Sequence, residues 1–270
     1  GAVDVDPAKV GRDLGELAEV GRKLGVKVSA DATAVIKSSK PDVVLHTTGS
    51  SLKKVLGQLE AILVRRIPVV STTEELSFPW RRHEALARRL DSLGREHGCS
   101  LLGTGVNPGF AMDTLALVLT GVCRRVDSVS IRRVVDAATR RGPLQKKVGA
   151  GLSEDQFRSR VAGGTLGHVG LVESLDLLAA CLGMGDLDVI ERIEPVLAGA
   201  PVITPHVRVE AGQVAGLHHM ATAFQPGERA SGRPAVLSLD LRMYVGAADP
   251  MDEITIAGDP SITSCISGGI

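Results

Sequence analysis

The chain has 270 residues, 44% hydrophobic and 2% aromatic, enough apolar material for one large core or two ordinary ones, which excludes a disordered chain. Lys+Arg and Asp+Glu each number 31, so no net field favours a nucleic acid or an anionic membrane. No apolar run reaches the ~18 residues of a membrane helix, and a cytoplasmic protein with small-molecule partners is the expectation.

From Gly1 to about Arg125 short apolar runs alternate with amphipathic stretches, the pattern of an α/β domain with a doubly wound parallel sheet. Val26–Val28, Val43–Leu45, Ile67–Val70 and Ser100–Gly103 read as covered strands. Helical spacing links Leu14, Leu17, Gly21 and Leu24, then Val55, Leu59 and Ile62, then Leu86, Leu90 and Leu93. A further helix runs from Met112 to about Gly121. Beyond Val126 the segments lengthen and alternate, as in Val126–Val135, His206–Val209, Ala235–Val245 and Glu253–Ile256, which predicts a half-exposed mixed or antiparallel sheet. Helices at about Glu154–Val161 and His168–Leu182 interrupt it. The boundaries expected are 1–125 for the first domain and 126–258 for the second, with 259–270 the start of a C-terminal return segment. The abrupt strand at Gly1–Asp6 and the close on Ser267–Ile270 suggest a chain cut from a longer one, its first βα unit lying upstream.

A doubly wound sheet binds ligands beyond the carboxyl ends of its strands, so the residues there carry the functional reading. Asp4, with Asp6, ends the first strand, where a carboxylate accepts hydrogen bonds from nucleotide ribose hydroxyls or, alternatively, caps a turn before Pro7. His46, Thr47, Thr48 and Gly49 follow the next candidate ligand-facing strand; small hydroxyl residues and glycine permit close backbone approach. Glu74 and Glu75 follow the Val70 strand and precede apolar Leu76 and Phe78, a setting for a general acid–base or for helix caps. Asn107, Pro108, Gly109 and Phe110 make a strand-to-helix turn in which Asn107 could hold a carboxamide by two-sided hydrogen bonding. In the second domain His168 stands in a glycine-rich segment and His218–His219 lies within a strand, with at most one of the pair facing a cleft. Cys99, Cys123, Cys181 and Cys265 lack paired spacing and nearby histidines, so no metal site is expected.

The Val3–Pro7 strand, the Ser71–Pro79 loop, the Val106–Phe110 turn and the Gly167–Gly170 segment together resemble the family of 2,4-diaminopentanoate dehydrogenases and native NAD(P)-dependent amine dehydrogenases, relatives of the dihydrodipicolinate reductase N-terminal-domain group. The resemblance implies a Rossmann-type domain, incomplete here because its glycine-rich phosphate loop would precede Gly1, and a substrate and dimerisation domain. It implies a homodimer that uses NAD or NADP to deaminate a small amine or diamine oxidatively, or to make it from a ketone and ammonia. Glu74 or Glu75 then matches the catalytic carboxylate, with Glu74 favoured as first past the strand. Asp4, His46, Thr47, Thr48, Gly49, Asn107, Pro108 and Gly109 match cofactor positions, and His168 and Phe110 substrate positions. The alternatives are an imine or carbonyl reductase of the dihydrodipicolinate reductase type, whose His-His…Lys and Pro-Ser-Gly-Thr constellations are absent, and a noncatalytic NAD(P)-binding protein.

Overall fold

The structure, a computed structural model, describes residues 1–270. The first half is built on parallel pairing in two separate patches. Strand β1 (Ala2–Val3) pairs with β2 (Val28–Ser29), while β3 (Val44–His46), β4 (Val69–Ser71) and β5 (Leu101–Gly103) form a three-stranded sheet with Val44, Val69 and Leu101 in register. Helix α1 (Leu14–Leu17) lies between β1 and β2, α2 (Ala32–Ser39) before β3, α3 (Leu52–Leu63) before β4 and α4 (Glu84–His97) before β5.

The helix expected through Leu24 stops after Leu17. Glu19, Gly21 and Gly25 adopt φ values of 56°, 75° and 72°, outside the helical region. The Asp13 carboxylate accepts hydrogen bonds from the N–H groups of Gly15, Leu24 and Gly25 and ties the stretch into a loop. Leu52, Val55, Leu59, Ile62 and Leu63 of α3, with Leu90 of α4, pack against Val69 on one face of the three-stranded sheet. The other face is bare, with Leu45 74% and Leu102 54% exposed.

The second half contains α5 (Thr114–Thr120), β6 (Arg125–Asp136), α6 (Gly142–Lys147), α7 (Glu154–Ala162), α8 (Leu171–Cys181), β7 (Asp188–Leu197), a small ribbon of β8 (Val202–Ile203) and β9 (Arg208–Val209), then β10 (Val214–Phe224), β11 (Leu237–Tyr244), β12 (Met251–Asp259) and β13 (Ile262–Ser267). The six long strands form one sheet in the order β13-β12-β6-β11-β10-β7, antiparallel except for the β6–β11 pair. Leu237, Leu239 and Leu241 of β11 alternate inward, joined by Val129, Ile131, Ile254 and Ile256, and α8 covers them with Leu171, Leu175 and Leu178. Burying each such side chain stabilises the fold by about 1.5–3 kcal/mol. A second core gathers around Phe157, Val209, Val214 and Leu217. Residues 262–267, within the expected return segment, form the edge strand β13; Ile270 N–H donates to Asp252, and the Ile270 carbonyl accepts from Arg133. That strand's alternation is only six residues long, too short to read without its partner β12. No helix is long and apolar enough to cross a membrane.

Candidate active site

The carboxyl ends of β3, β4 and β5 carry loops that meet around a cavity of about 380 Å³. Thr47, Thr48, Gly49 and Ser50 form one wall, Thr72 and Glu74 the second, and Gly105, Val106, Asn107 and Pro108 the third. Parallel register puts these loops side by side, because Leu45 pairs with Val70 and Val70 with Leu102.

His46 does not join this wall. Its buried ring places Nδ1 2.9 Å from Ser71 Oγ and Nε2 3.0 Å from Gln58 Oε1 and 2.9 Å from Thr48 Oγ1. Both nitrogens lie within hydrogen-bond distance of protein groups, so His46 braces the neighbouring loops. Thr47, Thr48 and Gly49 do line the cavity.

Glu74 and Glu75 open a single 3₁₀ turn and their side chains diverge. Glu75 Oε2 accepts from the Leu52 N–H at 2.6 Å and lies 3.2 Å from His83 Nε2, holding the start of α3 beside the N-cap of α4. It is a helix cap in the sense the sequence allows, though the helix capped is α3, 23 residues earlier in the chain. The Glu74 carboxylate has no hydrogen bond or ion pair with the protein and lines the cavity.

The Asn107 turn is fixed from beneath. Buried Asp113 accepts from Gly109 N–H and from Ser174 Oγ, each at 2.7 Å, so one carboxylate ties the turn to α8. Gly109 has φ 119°, and a Cβ there would stand 2.2 Å from Gly105 N, so the turn demands glycine. Asn107 Nδ2 approaches Met112 Sδ at 3.4 Å, while its buried Oδ1 has no partner in the protein. Phe110 is 43% exposed and does not line the cavity. Asp4 is bound to Lys9 Nζ at 2.6 Å and accepts the Asp6 N–H at 2.9 Å; the Lys9 contact holds its carboxyl below the usual range.

The second half packs against the wall of the cavity at Gly170. A Cβ on that residue, whose φ is 103°, would lie 2.5 Å from Pro108 and 3.1 Å from the Glu74 Cβ, so only glycine lets α8 approach so closely. His168 precedes α8, which begins three residues beyond it, at Leu171. Burial first, and then His219, Lys147 and Arg133, push the His168 ring down to about 3. His219 is buried and bonded through Nε2 to Glu191, which also meets Arg82. Glu173, in the first turn of α8, is 2% exposed, and burial raises its carboxyl above the usual range. Asp176, one turn on, pairs with Arg81 at 3.0 Å. Sequence reading passed over Arg81, Arg82, Glu173, Asp176 and Glu191 and gave His219 no role. The only signal was a pair of acids in the otherwise apolar run Leu171–Leu178; the partners lie roughly a hundred residues away in the chain, as Arg81 and Asp176 do at a separation of 95. No trio of His, Cys, Asp or Glu side chains converges as a metal site.

A parallel βα half whose strand-end loops converge on a cavity, joined to a half built on a mixed sheet, is the architecture of two-domain Rossmann-type dehydrogenases. The profile of the 2,4-diaminopentanoate dehydrogenase C-terminal domain matches residues 110–270, and the chain belongs to that family. It is 34% identical over 196 residues to 2,4-diaminopentanoate dehydrogenase of Acetoanaerobium sticklandii, covering 72% of this chain and 56% of that protein. It is 30% identical over 137 residues to an amine dehydrogenase of Streptomyces virginiae, covering 50% of this chain and 38% of the relative. The chain therefore spans about half the length, or less, of these curated relatives. Among solved structures, the amine dehydrogenase of Mycobacterium smegmatis superposes with a TM-score of 0.84 at 24% identity, over 98% of this chain and 78% of the other.

Proposed function

We propose that the protein works as an NAD(P)-dependent amine dehydrogenase that interconverts a small amine with a ketone and ammonia. The observation that carries this reading is the unpartnered Glu74 carboxylate in one cavity with the Thr47–Ser50 and Gly105–Pro108 loops. The orphaned Asn107 Oδ1 fits a nicotinamide carboxamide, whose amide N–H can donate to it, and Thr47, Thr48 and Gly49 offer a close backbone wall for ribose and phosphate. Asp4 is assigned to the adenosine ribose, with Lys9 offsetting its charge. A bound nicotinamide supplies the hydride acceptor. Glu74 takes a proton from the substrate ammonium, which frees the nitrogen lone pair that drives hydride loss from the adjacent carbon. Having released that proton to solvent, it orients water toward the resulting iminium carbon, takes a proton from that water as the C–O bond forms, and returns it to the carbinolamine nitrogen; the C–N bond then breaks, ammonia leaves, and the hydroxyl proton passes through Glu74 to solvent as the carbonyl forms. Glu75, already bonded to α3, keeps the loop in place. His168 and the exposed Phe110 are assigned to the substrate side. The reading extends to homodimeric assembly, which the family resemblance implies, and to a cytoplasmic setting.

Loss of general acid–base help costs roughly 10²–10⁴-fold in rate. Glu74→Gln should therefore remove most NAD(P)⁺ reduction across an amine panel while cofactor binding, followed by fluorescence, persists. Glu75→Gln should be milder. Near-normal turnover by Glu74→Gln would sink the assignment, and ketone reduction that proceeds without ammonia would favour a carbonyl or imine reductase.

A further inference from the structure

A second cavity, of about 520 Å³, opens at the other end of the three-stranded sheet, where α2 hands the chain to β3 and α3 hands it to β4. Strands of three residues span about 10 Å, so the length of the sheet separates this cavity from the one at Glu74. Its covered lining is apolar: Ile67 is buried, and Ile36 and Pro41 are half-buried. Its exposed rim is cationic. Lys37 and Lys40 stand on it at the end of α2, Arg65 and Arg66 just past the end of α3, and no carboxylate lines it.

Cations complement helix C-termini, which accounts for one or two charges at each end. Their pairing and their backbone do not follow from that. On α4 the side chains of Arg88, Arg89 and Arg95 meet the carboxylates of Glu84, Glu60 and Asp91, whereas none of the four rim cations forms an ion pair. The neighbouring acids are placed otherwise: Asp31 accepts the Ala34 N–H, Glu60 is held by Arg89, and Asp42, beside Pro41, does not line the cavity. Arg65 is oriented by neutral groups alone, donating from Nη1 to the Ala61 carbonyl and placing Nη2 3.5 Å from Thr33 Oγ1 on the opposite wall. Lys40 and Arg66 adopt φ values of 45° and 61°, the left-handed conformation that glycine takes at helix ends without strain. The chain keeps a long cationic side chain at both places despite the steric cost.

We propose that this cavity binds a small phosphate ester, its phosphoryl group held by Lys37, Lys40, Arg65 and Arg66 and its carbon body resting on Ile36, Pro41 and Ile67. Arginine matches phosphoryl oxygens with paired donors, lysine acts as a point charge, and the Thr33 hydroxyl adds a further donor. The volume falls in the range of small-molecule sites, roughly 300–1,000 Å³. No residue of α2 is buried, so a ligand bridging it to α3 fastens a helix that packing alone holds weakly. The site needs neither Glu74 nor a nicotinamide and stands apart from the amine dehydrogenase reading.

The test is calorimetric titration with phenyl phosphate, inorganic phosphate and sulfate at about pH 7.5, above the second phosphate ionisation near 6, and at about 0.15 M salt, where distant surface charges are screened. Phenyl phosphate should bind one molecule per chain, roughly tenfold tighter than inorganic phosphate because its ring is covered, and sulfate should be weaker still. Lys40→Gly/Arg66→Gly removes two charges and relieves both left-handed positions. It should melt no lower than the parent without ligand, yet bind phenyl phosphate about 10–100-fold more weakly. Lys37→Gln should weaken binding in the same direction, and it decides if the glycine variant does not fold. In the parent, phenyl phosphate should also slow amide exchange along α2. No saturable binding, equal affinity for sulfate and phenyl phosphate, or unchanged affinity in both variants overturns the proposal. A glycine variant that melts lower and binds as before would show the cations to be helix caps.

Discussion

The two halves of the molecule are stabilised in different ways. The second half has one continuous six-stranded sheet whose inner face is filled from α8, with Leu171, Leu175, Leu178, Leu237, Leu239 and Leu241 all at 0% exposure. The first half has a pair of two-residue strands and a sheet of three three-residue strands, one face of which leaves Leu45 and Leu102 largely in solvent. Yet the cavity and its free carboxylate sit on the thinner half. The contacts that steady it come from the thicker one, through Ser174 on Asp113 and Gly170 against Pro108. Loops can carry chemistry when a rigid neighbour fixes them, and here the rigid neighbour is α8.

The strongest test of this contrast is native-state hydrogen exchange. Amides of β6, β10 and β11 should exchange roughly 10²–10³-fold more slowly than those of β1, β2 and α2, none of whose α2 residues is buried. Uniform protection would mean the halves unfold as one unit. Next in size are paired truncations. Leu175→Ala should cost about 2–5 kcal/mol in denaturant unfolding, while Leu45→Ala on the bare face should stay within about 0.5 kcal/mol. A large loss at Leu45 would show that its face is covered in solution.

Glu173 sharpens the comparison through pH. Burial raises its folded-state titration above the unfolded value of about 4.5, so the folded state holds the proton more tightly. The stability that protonation contributes is complete below that unfolded value and is lost as pH rises through the raised folded one. Thermal melts should therefore show Glu173→Gln gaining on the parent as pH rises from about 4.5, and matching it in more acidic solution. A difference independent of pH would assign the effect to packing. The smallest expected change concerns Asp4. Asp4→Ala removes one exposed carboxylate and frees Lys9, so the NADP-to-NAD preference in steady-state kinetics should rise roughly severalfold, and an unchanged ratio would discard the ribose assignment.

Residue order alone was sufficient for the alternation of a parallel βα half with a mixed-sheet half, and for the three strand-end loops that the cavity brings together, Asp4 being the fourth position read from the sequence and lying outside it. Apolar spacing reports burial directly where Val55, Leu59 and Ile62 recur at helical intervals or Leu237, Leu239 and Leu241 alternate. It left Glu74 and Glu75 equivalent except for their order after the strand, and it grouped His46 with its ligand-lining neighbours. Only tertiary structure separates these residues, because the Leu52 N–H that occupies Glu75 and the Ser71 and Gln58 groups that occupy His46 come from other elements. The buried Glu173, and the pairing of buried His219 with Glu191, are likewise products of packing. Hydrophobic periodicity is a local property of the chain, whereas hydrogen-bond satisfaction of a buried polar group depends on which distant segments the fold places beside it.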